Sequence, residues 1–87
     1  MLFILLVKNR VKQTKKLIAE VDKLKAKMPK GVKIVSHYWT LGRYDDVVLV
    51  EAPNEKAIMK VALTVSDIAA TETLVAIPRD EAIKLLE

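Results

Sequence analysis

Cysteine is absent from the 87-residue chain, which excludes disulfides, thiolate metal sites and a cysteine nucleophile and fits a reducing, cytoplasmic setting. Glycine occurs twice and proline three times, too sparsely for a linker, a low-complexity tract or a glycine-rich phosphate loop. No repeat divides the sequence, so residues 1–87 read as one small domain. At this size a domain buries a modest share of its surface, and self-association adds burial. His37 is the sole histidine, so one subunit cannot build a multi-histidine metal centre, and neither metal nor cofactor is expected. No Gly-x-Ser-x-Gly elbow surrounds Ser36 or Ser66. Acidic residues are scarce up to Arg43, where eleven Lys/Arg face only Glu20 and Asp22 for a net +9. Beyond Arg43, four Lys/Arg face nine acids for a net −5, which restores the overall +4.

What is present is apolar: 52% of the residues, above the usual globular share. Met1–Val7 lacks a preceding basic residue and a cleavage site, and is too short to span a bilayer. It reads instead as a strand apolar on both faces, with Leu2, Ile4 and Leu6 on one and Phe3, Leu5 and Val7 on the other. A helix is expected from about Val11 to Met28, burying Val11, Leu17, Ile18, Val21, Leu24 and Met28. Lys12, Lys16, Lys23 and Lys27 fall on its opposite, solvated arc. Val32–Leu41 and Tyr44–Glu51 read as strands joined by a two-residue turn at Gly42 and Arg43. Asn54 caps a second helix that buries Ala57, Ile58, Val61, Ala62 and Val65. A last strand over Ile68–Ile77 precedes a short helix from Arg79 to Glu87, with Ala82, Ile83 and Leu86 turned inward.

This order is the split βαβ arrangement of an α+β, ferredoxin-like βαββαβ fold with a short C-terminal helix. Right-handed crossovers place both helices on one side of the sheet. The first and third strands are nonetheless apolar on both sides, so the free face is expected to meet a second copy of the chain.

The run Tyr38-Trp39-Thr40-Leu41-Gly42-Arg43-Tyr44-Asp45-Asp46-Val47-Val48, with Glu51-Ala52-Pro53-Asn54 and Thr71-Glu72-Thr73-Leu74-Val75-Ala76, resembles the GYD domain family. The name reflects the Gly, Tyr and Asp found here at Gly42, Tyr44 and Asp45. The resemblance implies a dimeric α+β barrel and carries no assigned biochemical function. The same hairpin more distantly resembles the ligand-sensing domain of Lrp/AsnC-type regulators, which binds amino acids between subunits; here no helix-turn-helix precedes the first strand.

His37, Trp39, Arg43, Tyr44 and Asp45, in or beside this hairpin, form the densest polar and aromatic cluster and are the candidate ligand-binding residues. His37 is an acid, base or ligand by type, Arg43 an anion contact, and Tyr44 and Asp45 hydrogen-bonding walls. Each also has a purely structural explanation in turn formation or packing, and no residue is assigned a catalytic role. The expectation is therefore a homodimeric metabolite-binding domain without established catalysis, in the cytoplasm. One alternative is a small barrel-type isomerase or monooxygenase using His37, which requires that residue to line a cavity. The other is an interaction module using the lysine face. Sequence-specific RNA binding lacks the aromatic platform it needs, since the first strand offers only Phe3 and the third only Tyr44. No membrane segment is expected.

Overall fold

The computed structural model describes residues 1–86. Four strands, β1 (Leu2–Asn9), β2 (Lys33–Trp39), β3 (Asp46–Glu51) and β4 (Ala69–Ala76), form one antiparallel sheet in the order β2-β3-β1-β4. The helices are α1 (Lys15–Ala26), α2 (Glu55–Thr64) and α3 (Arg79–Ile83), the last running into a 3₁₀ turn at Lys84–Leu86. The ferredoxin-like α+β order expected from the sequence is the one observed.

Strand parity sorts the side chains. On the inner face, Phe3 pairs with Val50 and Leu5 with Val48. These four join Ala52 of the connection and Ile58 and Val61 of α2 in the core, where Phe3 and Val50 are the most deeply buried. Each of these side chains larger than alanine contributes about 1.5–3 kcal/mol relative to an exposed position. On the outer face Leu2, Ile4 and Leu6 stand beside Leu49, Val47 and Leu74, and none of the described elements covers them fully. The doubly apolar reading of β1 and β3 is thus correct.

Several boundaries differ from expectation. α1 starts at Lys15, not Val11, because the Thr14 hydroxyl caps it, accepting from the Leu17 N–H at 3.1 Å. Val11 lies in the preceding loop, exposed. Asn54 caps α2 as expected, accepting from the Ala57 N–H at 3.0 Å. The β2–β3 turn is not the two-residue hairpin. The Thr40 N–H donates to the Asp45 carbonyl at 2.8 Å and the Thr40 hydroxyl to the Tyr44 carbonyl at 2.7 Å, enclosing Leu41–Tyr44. These local bonds replace ladder bonds and shorten both strands, while Gly42 supplies the positive φ of 104° that the loop requires. The inward orientation expected of Ile83 and Leu86 also fails: they are 44% and 86% exposed. Past Pro78 the chain has left the sheet, and none of the described elements covers this segment.

Candidate ligand cavity

α1 crosses the inner face without closing on it. None of its residues is fully buried, and between it and the sheet lies a cavity of about 370 Å³. Protein interiors seldom leave voids larger than a water molecule. Leu5 and Val7 of β1, Ile18, Val21 and Leu24 of α1 and Val48 of β3 contribute its apolar wall, and Asn9, Gln13, Asp22, Lys25, His37 and Asp46 its polar groups.

His37 reaches this cavity because of a bulge. Alternation from Ile34, which faces inward beside Val50, would send Ser36 and Tyr38 in and His37 and Trp39 out. The register shifts between Ile34 and Ser36, so His37 instead pairs with Val48 and Trp39 with Asp46, both on the inner face. One extra residue, the half-exposed Val35, reverses the parity of the rest of β2; re-aiming side chains in this way is a common use of β-bulges.

Once inward, His37 is held from both ends. Its Nε2 lies 2.5 Å from Asp46 Oδ2 and its Nδ1 2.8 Å from Lys25 Nζ. An ammonium group can only donate. Nδ1 must therefore accept from Lys25, and Nε2 carries the proton that it donates to the carboxylate. Asp46 is the one polar or charged residue among the described residues that is buried, and the ring N–H satisfies it. Among the described residues Lys25 makes no ion pair; its hydrogen-bonding side-chain partner is the neutral imidazole.

The five residues singled out in the sequence divide between two places. His37 and Trp39 line the cavity, with Trp39 two-thirds exposed at its edge. Arg43, Tyr44 and Asp45 do not line it; Tyr44 and Asp45 fasten the hairpin to its neighbours, while Arg43 lies beside the Tyr44 ring. Asp45 accepts from the Asn9 N–H at 2.8 Å, lies 3.8 Å from Lys8 Nζ, and donates its own N–H to the Val7 carbonyl at 2.8 Å. Tyr44 donates its hydroxyl to Glu72 Oε2 at 2.7 Å, and the Arg43 guanidinium lies 5.7 Å from its ring centre. The bond to the Glu72 carboxylate holds the Tyr44 proton and raises its pKa; partial desolvation and the Glu72 charge act the same way, while Arg43 opposes them.

Lys25 and Asp46 escaped the sequence reading although each carried a signal. Asp46 is in phase with the inward Val48, Val50 and Ala52. Lys25, seven residues after Ile18, falls within about 20° of it on a helical projection, on the apolar arc and away from the exposed lysine stripe. Among the described residues no group of three His, Cys, Asp or Glu side chains could hold a metal ion, and no helix is long and apolar enough to cross a membrane.

In comparisons with known proteins, the family model described as GYD domain matches residues 6–86. No curated protein and no solved structure matches.

Proposed function

The chain belongs to the GYD domain family, and on that premise we propose that it is a homodimeric domain that binds a small metabolite in the cavity between α1 and the sheet. The observation that carries this reading is the cavity itself, apolar along its walls with a cluster of convergent polar side chains, the usual constitution of a small-molecule site. The cavity measures about 370 Å³ and opens to solvent. At the roughly 30 Å³ that one water takes in the liquid, it admits a molecule of about a dozen non-hydrogen atoms.

The outer face supports the dimer. Leu2, Ile4, Leu6, Val47, Leu49 and Leu74 present a contiguous apolar surface with Tyr38 beside it. Four strands span an area of roughly 400 Å², half of what one partner gives to a standard interface. The exposed Ile83, Leu85 and Leu86 of the C-terminal segment supply further apolar area for a second copy.

Two measurements test the reading. A thermal-shift screen of small amphipathic compounds, followed by methyl NMR, is expected to find ligands that perturb Ile18, Val21, Leu24 and Val48. Perturbations confined to the outer face, or none with any compound, refute the cavity. Sedimentation is expected to give a dimer that Ile4→Lys converts to a folded monomer; a wild-type monomer at high concentration refutes the pairing.

A further inference from the structure

We propose that Lys25 is a nucleophile that forms a Schiff base with a small apolar aldehyde in the cavity, and that His37 takes up and returns the protons the reaction moves. This rests on the cavity being a ligand site and assigns a chemistry to it.

The reason lies in the partner that Lys25 has. Its Nζ lies 2.8 Å from His37 Nδ1 and, among the described residues, within ion-pair distance of no carboxylate. Asp22, three residues earlier on α1, also lines the cavity but is exposed, and Asp46 is linked to Lys25 only through the imidazole ring. A carboxylate in contact would hold the lysine as an ammonium, whereas an imidazole nitrogen can remove a proton from it. The half-buried Lys25 stands beside the apolar wall, a setting in which lysines serve as Schiff-base nucleophiles.

Asp46 assists the transfer. With the proton on Lys25, the ring separates the ammonium from the Asp46 carboxylate. With the proton on Nδ1, an imidazolium touches that carboxylate through Nε2, and Asp46 is buried, where a close opposite charge counts most. The array carries the same net charge in both states, so the transfer needs no outside ion. An amine is ordinarily the stronger base of the two groups, so the uncharged amine is a minor species that the reaction draws off.

The protons and electrons balance. The Nζ lone pair attacks the carbonyl carbon, the C–N bond forms, and the C=O π pair moves to oxygen, which takes the proton from Nδ1. The attacking nitrogen gives one of its protons back to Nδ1, leaving a carbinolamine. That proton then passes to the hydroxyl, the C–O bond breaks, water departs, and the nitrogen lone pair completes the protonated imine. Ammonium and aldehyde become iminium and water, with one positive charge on each side, and His37 ends neutral as it began. An aldehyde suits the site better than a ketone because its carbonyl carbon is less hindered, and the apolar wall suits a hydrocarbon body on the scale of octanal.

Limiting octanal is added to the full chain with cyanoborohydride, which reduces the imine to a stable secondary amine, and labelled lysines are mapped by peptide mass spectrometry. Octan-1-ol, which has the same body and no carbonyl, is followed by methyl NMR. Lys25 is expected to label about tenfold or more faster than Lys23 and Lys27, its exposed neighbours on α1, against the roughly 10²–10⁴ that a positioned base contributes. Excess octan-1-ol is expected to suppress the labelling of Lys25 and to spare that of Lys23 and Lys27. His37→Gln is expected to bring Lys25 down to the rate of these neighbours, and Asp46→Asn to an intermediate rate, while both variants still bind octan-1-ol. Equal labelling of the three lysines in the wild type, with octan-1-ol seated in the cavity, overturns the nucleophile and leaves the cavity standing as a ligand site. Selective labelling that His37→Gln does not slow overturns the proton relay, and a wild-type rate in Asp46→Asn removes Asp46 from it. Absence of both selective labelling and octan-1-ol binding removes the cavity reading together with this one.

Discussion

A double-mutant cycle on His37 and Asp46 measures whether the array at the cavity is built or incidental. The two side chains are 24% and 12% exposed and 2.5 Å apart, so solvent screens them much less than it does a surface pair. Exposed ion pairs contribute about 0.2–1 kcal/mol, whereas a hydrogen bond to a charged group contributes about 1.5–3 kcal/mol. The burial places this pair in the second range. Asp46→Ala, His37→Ala and the double variant are unfolded in urea at one fixed protein concentration, because dimerisation adds to apparent stability. With a slope of about 1 kcal/mol/M for a chain of this size, Asp46→Ala lowers the midpoint by about 2 M, and the cycle returns a coupling of about 2 kcal/mol. Asp46→Asn, which keeps an acceptor without the charge, loses about half of that, since charge-assisted bonds are roughly twice as strong as neutral ones. A coupling below about 0.5 kcal/mol, the range of exposed pairs, refutes the claim that Asp46 holds the imidazole.

Other expectations follow from single features. The Tyr44 phenol titrates above its ordinary value of 10.0 because it donates to Glu72, and Glu72→Gln brings it down, as followed by phenolate absorbance. Since the folded-state value is raised, the associated stability is complete below the unfolded-state value and is lost as pH climbs through the folded one; an unchanged titration in Glu72→Gln contradicts the assignment. Phe3→Ala, at the most buried large side chain, costs about 3–5 kcal/mol, and a loss under about 1 kcal/mol would show that the core lies elsewhere. Thr14→Ala removes the cap that starts α1 and costs about 1 kcal/mol, which urea denaturation detects; an unaltered midpoint means that the Thr14 hydroxyl does not set the helix start.

Composition and periodicity determined the element order, the antiparallel α+β architecture and the doubly apolar β1 and β3, because alternation and three-to-four spacing reflect which side of an element meets the core. The caps were equally local: Asn54 announced α2 by residue type, and Thr14 could have announced α1. The hairpin residues were also visible as a group, but their purpose was not. Asp45 and Tyr44 turned out to bind Asn9 and Glu72, partners 36 and 28 residues away, which no local pattern specifies. The candidate site was decided by tertiary structure in two further ways. A single bulged residue, Val35, reverses the parity of β2 and brings His37 inside, and strict alternation cannot reveal where a register slips. Lys25 and Asp46 then meet His37 only because the packing of α1 across the sheet brings three separate elements to one point. Sequence set which faces are apolar because that depends on side-chain type alone; the fold set which polar groups meet, because that depends on register and on the distance at which a helix stands from its sheet.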